Sequence, residues 1–220
     1  MLELLKNFLD IIMHIDVHLR QWVTDYQMWT YLILFIIVFM ETGFVVTPFL
    51  PGDSLLFAAG TVAAMAGNPL SLYVIIPLLI AAAFGGDNTN YFIGKLLGKT
   101  VYEKNYRLIR REYLDKTHAF YEKHGGKTII IARFMPIIRT FAPFVAGVGT
   151  MTYLRFISFS IVGAVIWVSS FSLAGYFFGN IPLVKNNFSL AIVTIVLISL
   201  LPMIIAFIKK FISRKKITQG

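Results

Sequence analysis

The stretch TIIIARFMPIIRTFAPFVAGVGT, residues 128–150, decides how the rest of the chain is arranged. It is apolar and as long as a membrane-spanning helix, yet it contains Arg133, Arg139, Pro136 and Pro143. Proline removes a backbone N–H donor and interrupts helices, so a turn is favoured within the stretch. We therefore predict a hairpin here rather than a straight crossing.

The charges on either side of this stretch support a hairpin. Residues 95–127 contain nine basic and four acidic residues, and the chain ends on a second basic run: Lys209, Lys210, Arg214, Lys215 and Lys216. Basic loops are retained on the cytoplasmic side of a membrane. Both ends of residues 128–208 are then cytoplasmic, so an even number of crossings lies between them. Residues 154–180 and 187–209 supply two, which leaves 128–150 to enter and leave on one side.

The first half of the chain contains a similar problem segment. TPFLPGDS, residues 47–54, has the composition of a turn. The apolar arm that follows, residues 54–67, is shorter than the roughly 20 residues that a spanning helix needs. We therefore predict a first hairpin over about 29–67, before a span at 70–94. The residues assigned to the turns of the two hairpins are Pro48, Pro51, Gly52, Pro136 and Pro143.

Composition excludes the main alternatives to a membrane protein. Of the 220 residues, 57% are hydrophobic and 14% are charged, whereas a soluble domain has about 45–50% apolar and about 25% charged residues. The chain has no cysteine, which excludes disulfides, thiolate metal sites and a cysteine nucleophile. The net charge of +9 is explained by cytoplasmic loops, so no nucleic-acid partner is expected.

These segments predict an all-α integral membrane protein. Residues 1–28 are interpreted as an amphipathic interfacial segment, 29–180 as a membrane domain with a cytoplasmic loop at 95–127, 187–209 as a C-terminal transmembrane helix, and 210–220 as a basic cytoplasmic tail. The sequence Tyr-Phe-x-Gly ends the span of each half, at Tyr91–Gly94 and Tyr176–Gly179. We interpret the halves as an inverted repeat of a re-entrant hairpin and a transmembrane helix, as in many secondary transporters.

Four ionisable residues fall in the two hairpin regions: Glu41, Asp53, Arg133 and Arg139. A charge at the bilayer centre costs roughly 2.5–3.5 kcal/mol, so these side chains must face one another, a cavity or a ligand. Two readings stay open. The four form salt bridges that tie the hairpins together, or the arginines hold an anionic group while the carboxyl groups bind protons. Arginine suits a phosphate because of its planar fork.

Other polar residues add weaker evidence. Asp87 is either the polar cytoplasmic end of a span or a third acid of the site, and Thr140 and Ser54 are candidate hydrogen-bond donors at the hairpin tips. Trp167 is interpreted as a packing residue. The histidines lack a metal-ligand spacing, so no metal and no cofactor are expected; they are interpreted as surface residues: His14, His18, His118 and His124.

Two motifs resemble those of the DedA family, also called the VTT or SNARE-associated membrane-protein superfamily. They are FLPGDS at 49–54, with Glu41 upstream, and GGKTIIIARFMPIIRTFAPFVAG at 125–147. The resemblance covers about residues 30–180. It implies a multi-pass bacterial inner-membrane protein with two opposed re-entrant hairpins. It places the family's essential acidic pair on Glu41 and Asp53 and its arginine pair on Arg133 and Arg139.

The resemblance also implies translocation of phospholipids or of undecaprenyl phosphate, linked to the proton-motive force and to envelope integrity. The leading expectation is a translocase without enzymatic activity, whose partners are protons and lipids with an anionic phosphate headgroup. Arg133, Arg139 and Thr140 would bind the headgroup, while Glu41, Asp53 and Asp87 would couple protons. In this expectation, proton uptake by Glu41 or Asp53 releases the headgroup.

Other functions are kept beside it. A proton-coupled antiporter of small cations or drugs is the first alternative, with the arginines as structural partners of the acids. A structural or chaperone-like membrane protein is another. An enzyme acting on lipid phosphate is disfavoured, because no histidine lies in the apolar segments and cysteine is absent. The C-terminus is expected to be cytoplasmic; the side of the N-terminus and the oligomeric state, including a homo-oligomer, are left open.

Overall fold

The computed structural model describes residues 15–26, 28–44, 52–65, 70–104, 125–149 and 151–182, with single positions between 184 and 197. Within these ranges all the secondary structure is helical. The helices are α1 (Ile15–Tyr26), α2 (Trp29–Gly43), α3 (Gly52–Ala63), α4 (Leu72–Lys104), α5 (Lys127–Ala132), α6 (Pro136–Val148) and α7 (Tyr153–Phe178).

Two of the described helices are long and apolar enough to cross a membrane. They are the part of α4 from Leu72 to Leu97, and the whole of α7. α4 has 33 residues, or about 50 Å at 1.5 Å per residue. It continues to Lys104, past the predicted end of the span at residue 94 and into the predicted loop. The physical reason is that lysine, leucine and glutamate favour a helix in water as well, so leaving the apolar segment does not end it.

Besides α1 and α5, three further described helices are too short to cross a bilayer alone. α2, α3 and α6 have 15, 12 and 13 residues, or about 18–23 Å, against a hydrocarbon core of about 30 Å. The first predicted turn, with Pro48 and Pro51, lies outside the described residues.

The second hairpin region turns at residues 133–135, between α5 and α6. α6 begins at Pro136, where the missing N–H is not needed. Pro143 was predicted to form a turn but lies inside α6. Its missing N–H leaves the carbonyl of Arg139 without the usual donor four residues on, which the helix tolerates.

Two of these short helices pack along the long helix of the other half of the chain, whereas α2 packs along α4 of its own half. α3 lies against α7, and α6 lies against α4. In both interfaces each helix contributes one glycine, and the carbonyl that meets the partner's glycine lies three residues before it. A Cβ on Gly60 would lie 2.0 Å from the Ser172 carbonyl oxygen, and one on Gly175 would lie 1.9 Å from that of Phe57.

The second interface repeats this arrangement. A Cβ on Gly147 would lie 2.0 Å from the Tyr91 carbonyl oxygen, and one on Gly94 would lie 2.1 Å from that of Phe144. Backbones touch at both places, which only glycine permits. Gly94 therefore corresponds in packing to Gly175, one helical turn before the Gly179 suggested by the Tyr-Phe-x-Gly match.

The remaining described residues close the core. α1 packs against α3 and buries Leu19 and Val23, so one face of this predicted interfacial helix contacts the protein. Among the described residues, the largest fully buried side chain is Trp167, on α7. Most of the predicted C-terminal transmembrane helix, residues 187–209, lies outside the described residues.

Candidate functional site

Five ionisable side chains from different elements lie buried in the middle of the helix bundle. Glu41 ends α2, Asp53 begins α3, Asp87 lies in α4, Arg133 follows α5 and Arg139 lies in the first turns of α6. None of the five is more than 5% exposed. The structure therefore brings the four predicted hairpin charges together and adds Asp87, whose position the sequence left open.

Arg139 joins the two acids of the first hairpin region. One terminal nitrogen donates to Glu41 Oε1, and the other donates to Asp53 Oδ1 at 2.5 Å. The backbone N–H of Gly52 also donates to Glu41 Oε1, at 3.3 Å. Glu41 thus faces the N-terminus of α3, where the helix dipole favours a negative charge.

Gly52 makes this approach possible. A Cβ at this position would lie 1.8 Å from Glu41 Oε2. A larger residue here would force the Glu41 carboxylate away from the start of α3. The glycine that the sequence assigns to a turn therefore also shapes the site.

Arg133 forms the second ion pair, with Asp87. Its NH2 donates to Asp87 Oδ2, which also accepts a hydrogen bond from the Ser160 hydroxyl at 2.6 Å. The same NH2 lies 3.4 Å from the Ser160 carbonyl oxygen. Gly163, one turn further along α7, leaves room for the Arg133 side chain, whose Nε would be 3.2 Å from a Cβ there.

Trp167 touches both ion pairs. Its indole N–H donates to Asp53 Oδ1 at 2.8 Å. The guanidinium carbons of Arg139 and Arg133 lie over its ring, 5.0 and 5.7 Å from the centroid. These distances are within the range of cation–π attraction.

The Asn90 side chain links three helices by hydrogen bonds beside the five charged groups. Its side-chain N–H group donates to the carbonyl of Thr42, next to Glu41, at 3.2 Å, and to that of Thr140, next to Arg139, at 2.6 Å. The predicted headgroup residue Thr140 is fully buried beside its arginine, as is Ser54 beside Asp53. Asn90 holds the end of α2 and the start of α6 on α4.

The charges of the cluster do not balance. When all five groups are ionised, three carboxylates face two guanidinium groups, and one negative charge is left over. Four buried polar atoms of the cluster have no partner among the described residues: Glu41 Oε2, Asn90 Oδ1, Arg133 NH1 and Arg139 Nε. One added proton would neutralise the surplus charge, and the two arginine donors can hold an anion.

The described residues give no support to a metal centre. Among them, no group of three or more histidine, aspartate or glutamate side chains has an arrangement that could hold a metal ion. Of the predicted surface histidines, only His18 is described, as a half-buried residue of α1.

Comparisons with known proteins assign the family. The family model described as the VTT domain matches residues 50–177, which include Asp53, Asp87, both arginines and Trp167. The chain is 54% identical to Protein DedA of Escherichia coli K12 over 209 residues, covering 94% of this chain and 95% of that protein. The chain belongs to the DedA family. This DedA-family chain is therefore a membrane protein, as its relatives are named.

More distant relatives are also named as membrane proteins. An uncharacterised membrane protein of Mycobacterium tuberculosis is 44% identical over 85% of this chain and 82% of its own length. The inner membrane protein YqjA of Escherichia coli is 33% identical over 69% of each chain. No solved structure matches this DedA-family chain.

Sequence reasoning missed three members of the cluster. Trp167 and Ser160 lie in an apolar run that reads as an ordinary span, and nothing local distinguishes them. Asn90 had a signal. It ends the polar run Asp87-Asn88-Thr89-Asn90, which is unusual inside a spanning helix and which the structure places partly at the site.

Proposed function

We propose that this DedA-family protein translocates an anionic lipid headgroup, such as undecaprenyl phosphate or a phospholipid, and that proton binding to a buried carboxyl group drives the cycle. One observation carries this proposal. Two arginines share a buried cluster with three carboxylates, and each arginine retains a nitrogen atom without a partner. The reaction moves the lipid without making or breaking a covalent bond, so the protein is a translocase rather than an enzyme.

The arginines supply the headgroup site. A guanidinium group presents planar N–H donors that match phosphate oxygens and stays charged in a protein. The two terminal nitrogens of Arg139 donate to Glu41 and Asp53, and one terminal nitrogen of Arg133 donates to Asp87. A phosphate that enters the cluster therefore competes with carboxylates for the same donors.

This competition sets the order of the proton step. A protonated carboxyl group loses its charge and most of its attraction to arginine, so proton uptake by Glu41 or Asp53 makes Arg139 available to the headgroup. Loss of the proton restores the ion pair and displaces the headgroup. The order is opposite to the sequence-based expectation, in which proton uptake released the headgroup. The reason is that both carboxylates bind the arginine that would bind the phosphate.

The helix lengths support access from both sides. α3 and α6 are each too short to cross the bilayer, and each carries a charge of the cluster near its first residue. Irregular backbone at membrane depth is tolerated where it lines a wet cavity. We propose that the two halves enter the membrane as re-entrant hairpins from opposite faces, in the bacterial inner membrane and with a cytoplasmic C-terminus.

A liposome assay tests the proposal. Purified protein is reconstituted with fluorescent phospholipids or labelled undecaprenyl phosphate, and headgroup flipping is measured with and without a pH gradient. We expect Arg133→Ala and Arg139→Ala to reduce the rate to that of protein-free liposomes. The matched control is Arg155→Ala, because Arg155 is an exposed arginine of α7 outside the cluster. Unchanged flipping rates in both cluster variants would contradict the proposal.

The surplus carboxylate also supports a second candidate, a proton-coupled antiporter of small cations or drugs. In that case the acids bind the cation and the arginines are structural partners. Arg139→Lys separates the two functions, because lysine can pair with a carboxylate but cannot present a planar fork to phosphate. Cation uptake that survives in Arg139→Lys vesicles, with no lipid flipping by the wild type, would favour the antiporter.

A further inference from the structure

We propose that Trp167 is a positioning residue that holds both arginines in the site while their carboxylate partners are exchanged for the anion. The inference deepens the proposed function and rests on it. Trp167 is fully buried on α7 and touches three of the five charged groups. Its single N–H donor pairs with Asp53, a charged member of the cluster, rather than with a backbone carbonyl.

The geometry of a guanidinium group gives the reason. Its N–H donors lie in the plane of the group, whereas an aromatic ring attracts it through its face. The ring of Trp167 lies beneath both guanidinium carbons, at 5.0 Å for Arg139 and 5.7 Å for Arg133. The ring thus stabilises the cations without occupying the N–H groups that a phosphate would bind.

A permanent partner matters at the moment of exchange. When one carboxylate leaves Arg139 before a phosphate arrives, the guanidinium loses one of its two buried charged partners, which is unfavourable. The Trp167 ring remains in place through this step. It also contacts both cations at once.

The indole N–H has a second effect, on Asp53. It donates to the same Oδ1 that accepts from Arg139. The Asp53 oxygen is thus held by two donors, so the indole keeps the carboxylate in place when Arg139 turns to the headgroup. The charged groups that face Asp53 and Trp167 from the surrounding elements are Glu41 of α2, Asp87 of α4, Arg133 after α5 and Arg139 of α6.

Two substitutions separate the ring from its donor. Trp167→Leu removes both, and we expect flipping per folded protein to fall at least about tenfold, equivalent to about 1.4 kcal/mol. Trp167→Phe keeps a ring but loses the N–H, and we expect it to retain more activity while its pH–rate profile shifts. The matched control is Phe156→Leu, a fully buried aromatic residue of α7 that stacks on Tyr91 away from the charges.

Equal flipping by Trp167→Leu and Phe156→Leu proteins, each normalised to the folded fraction, would overturn the inference. So would an unshifted pH profile in Trp167→Phe. Both variants are first checked by size-exclusion chromatography and thermal unfolding in detergent, so that a folding defect is not counted as a loss of function.

A fluorescence measurement tests the same residue without any lipid substrate. The chain has three tryptophans, and Trp22→Phe with Trp29→Phe leaves Trp167 as the only one. We expect Asp53→Asn to shift its emission maximum, because the indole N–H then loses its charged acceptor, whereas Asp25→Asn at the exposed end of α1 leaves the emission unaltered. An emission profile that Asp53→Asn does not alter would contradict the inference. The expected emission shift, together with a wild type that flips no lipid, would reject the proposed function alone.

Discussion

At the scale of single residues, Arg139 shows why the cluster is both fragile and useful. It is buried and holds two carboxylates that come from different helices. The desolvation penalty of buried charges is offset only by close, well-placed partners. Removing one partner leaves the others as unpaired buried charges. The ion pairs alone are thus weak evidence for stability, but they make every exchange of partners energetically large.

A stability prediction follows for Arg139. Arg139→Met leaves Glu41 and Asp53 buried and unpaired, and we expect it to lower the free energy of unfolding by about 3–5 kcal/mol. The triple variant Arg139→Met, Glu41→Gln, Asp53→Asn removes all three charges and should regain much of that loss, while remaining inactive in flipping. Thermal unfolding in detergent measures both effects, and a triple variant no more stable than Arg139→Met contradicts this account.

Gly52 gives a second prediction at this scale. Gly52→Ala places a methyl group 1.8 Å from Glu41 Oε2, so the carboxylate must move away from the start of α3 and from Arg139. We expect a lower unfolding temperature and a reduced flipping rate. Gly85→Ala is the control, since its Cβ would meet only the Phe39 ring at 3.4 Å. In a helix interior that change is favourable by up to about 1 kcal/mol.

Much of the site could be predicted at the residue scale, and the part that could not has a physical cause. Charges in apolar segments are costly wherever they stand, so Glu41, Asp53, Arg133 and Arg139 are conspicuous in the sequence alone. Their pairing is a tertiary property. Arg133 contacts Asp87 rather than an acid of the first hairpin region, because α5 packs on α7 while α6 packs along α4, which puts the turn between α5 and α6 beside Asp87. Trp167 gave no signal, since a tryptophan in a span usually only packs.

At the scale of elements, the two halves of the chain are interlocked. α3 packs on α7 and α6 packs on α4. In both interfaces each helix contributes one glycine and, three residues before it, the backbone carbonyl that meets the partner's glycine. The contacts are Gly60 with Ser172 and Gly175 with Phe57, and Gly147 with Tyr91 and Gly94 with Phe144. In packing, Gly94 matches Gly175, one turn from the Gly179 that the four-letter match indicates. Letter identity does not report which small residue faces a neighbouring helix.

The interlocked helices give an element-scale prediction. Gly60→Ala and Gly147→Ala each insert a methyl group 2.0 Å from a backbone carbonyl oxygen, which no side-chain rotation can relieve. We expect both variants to unfold at lower temperature than the wild type and by similar amounts, because the two contacts are equivalent. Gly85→Ala again serves as the reference. A large loss in one variant and none in the other would argue against equivalent interfaces.

At the scale of the whole molecule, the number of membrane crossings decides on which side each hairpin region enters. The basic segment 95–127 and the basic C-terminal run are predicted to lie on the same side, which requires 128–150 to turn back within the membrane. The helices agree with this requirement in length, since α7 can cross a bilayer and α6 cannot. The loop between the last two predicted crossings must then lie on the opposite side.

Single-cysteine labelling tests this topology directly, because the chain contains no cysteine of its own. We expect a membrane-impermeant maleimide to label Lys185→Cys in intact cells, and to label Lys116→Cys and Thr218→Cys only after the membrane is permeabilised. Leu2→Cys, in the same assay, assigns the side of the N-terminus. Labelling of Lys116→Cys and Thr218→Cys from opposite sides would mean an odd number of crossings between them. The segment 128–150 would then span the membrane, and its two arginines could not share a re-entrant turn.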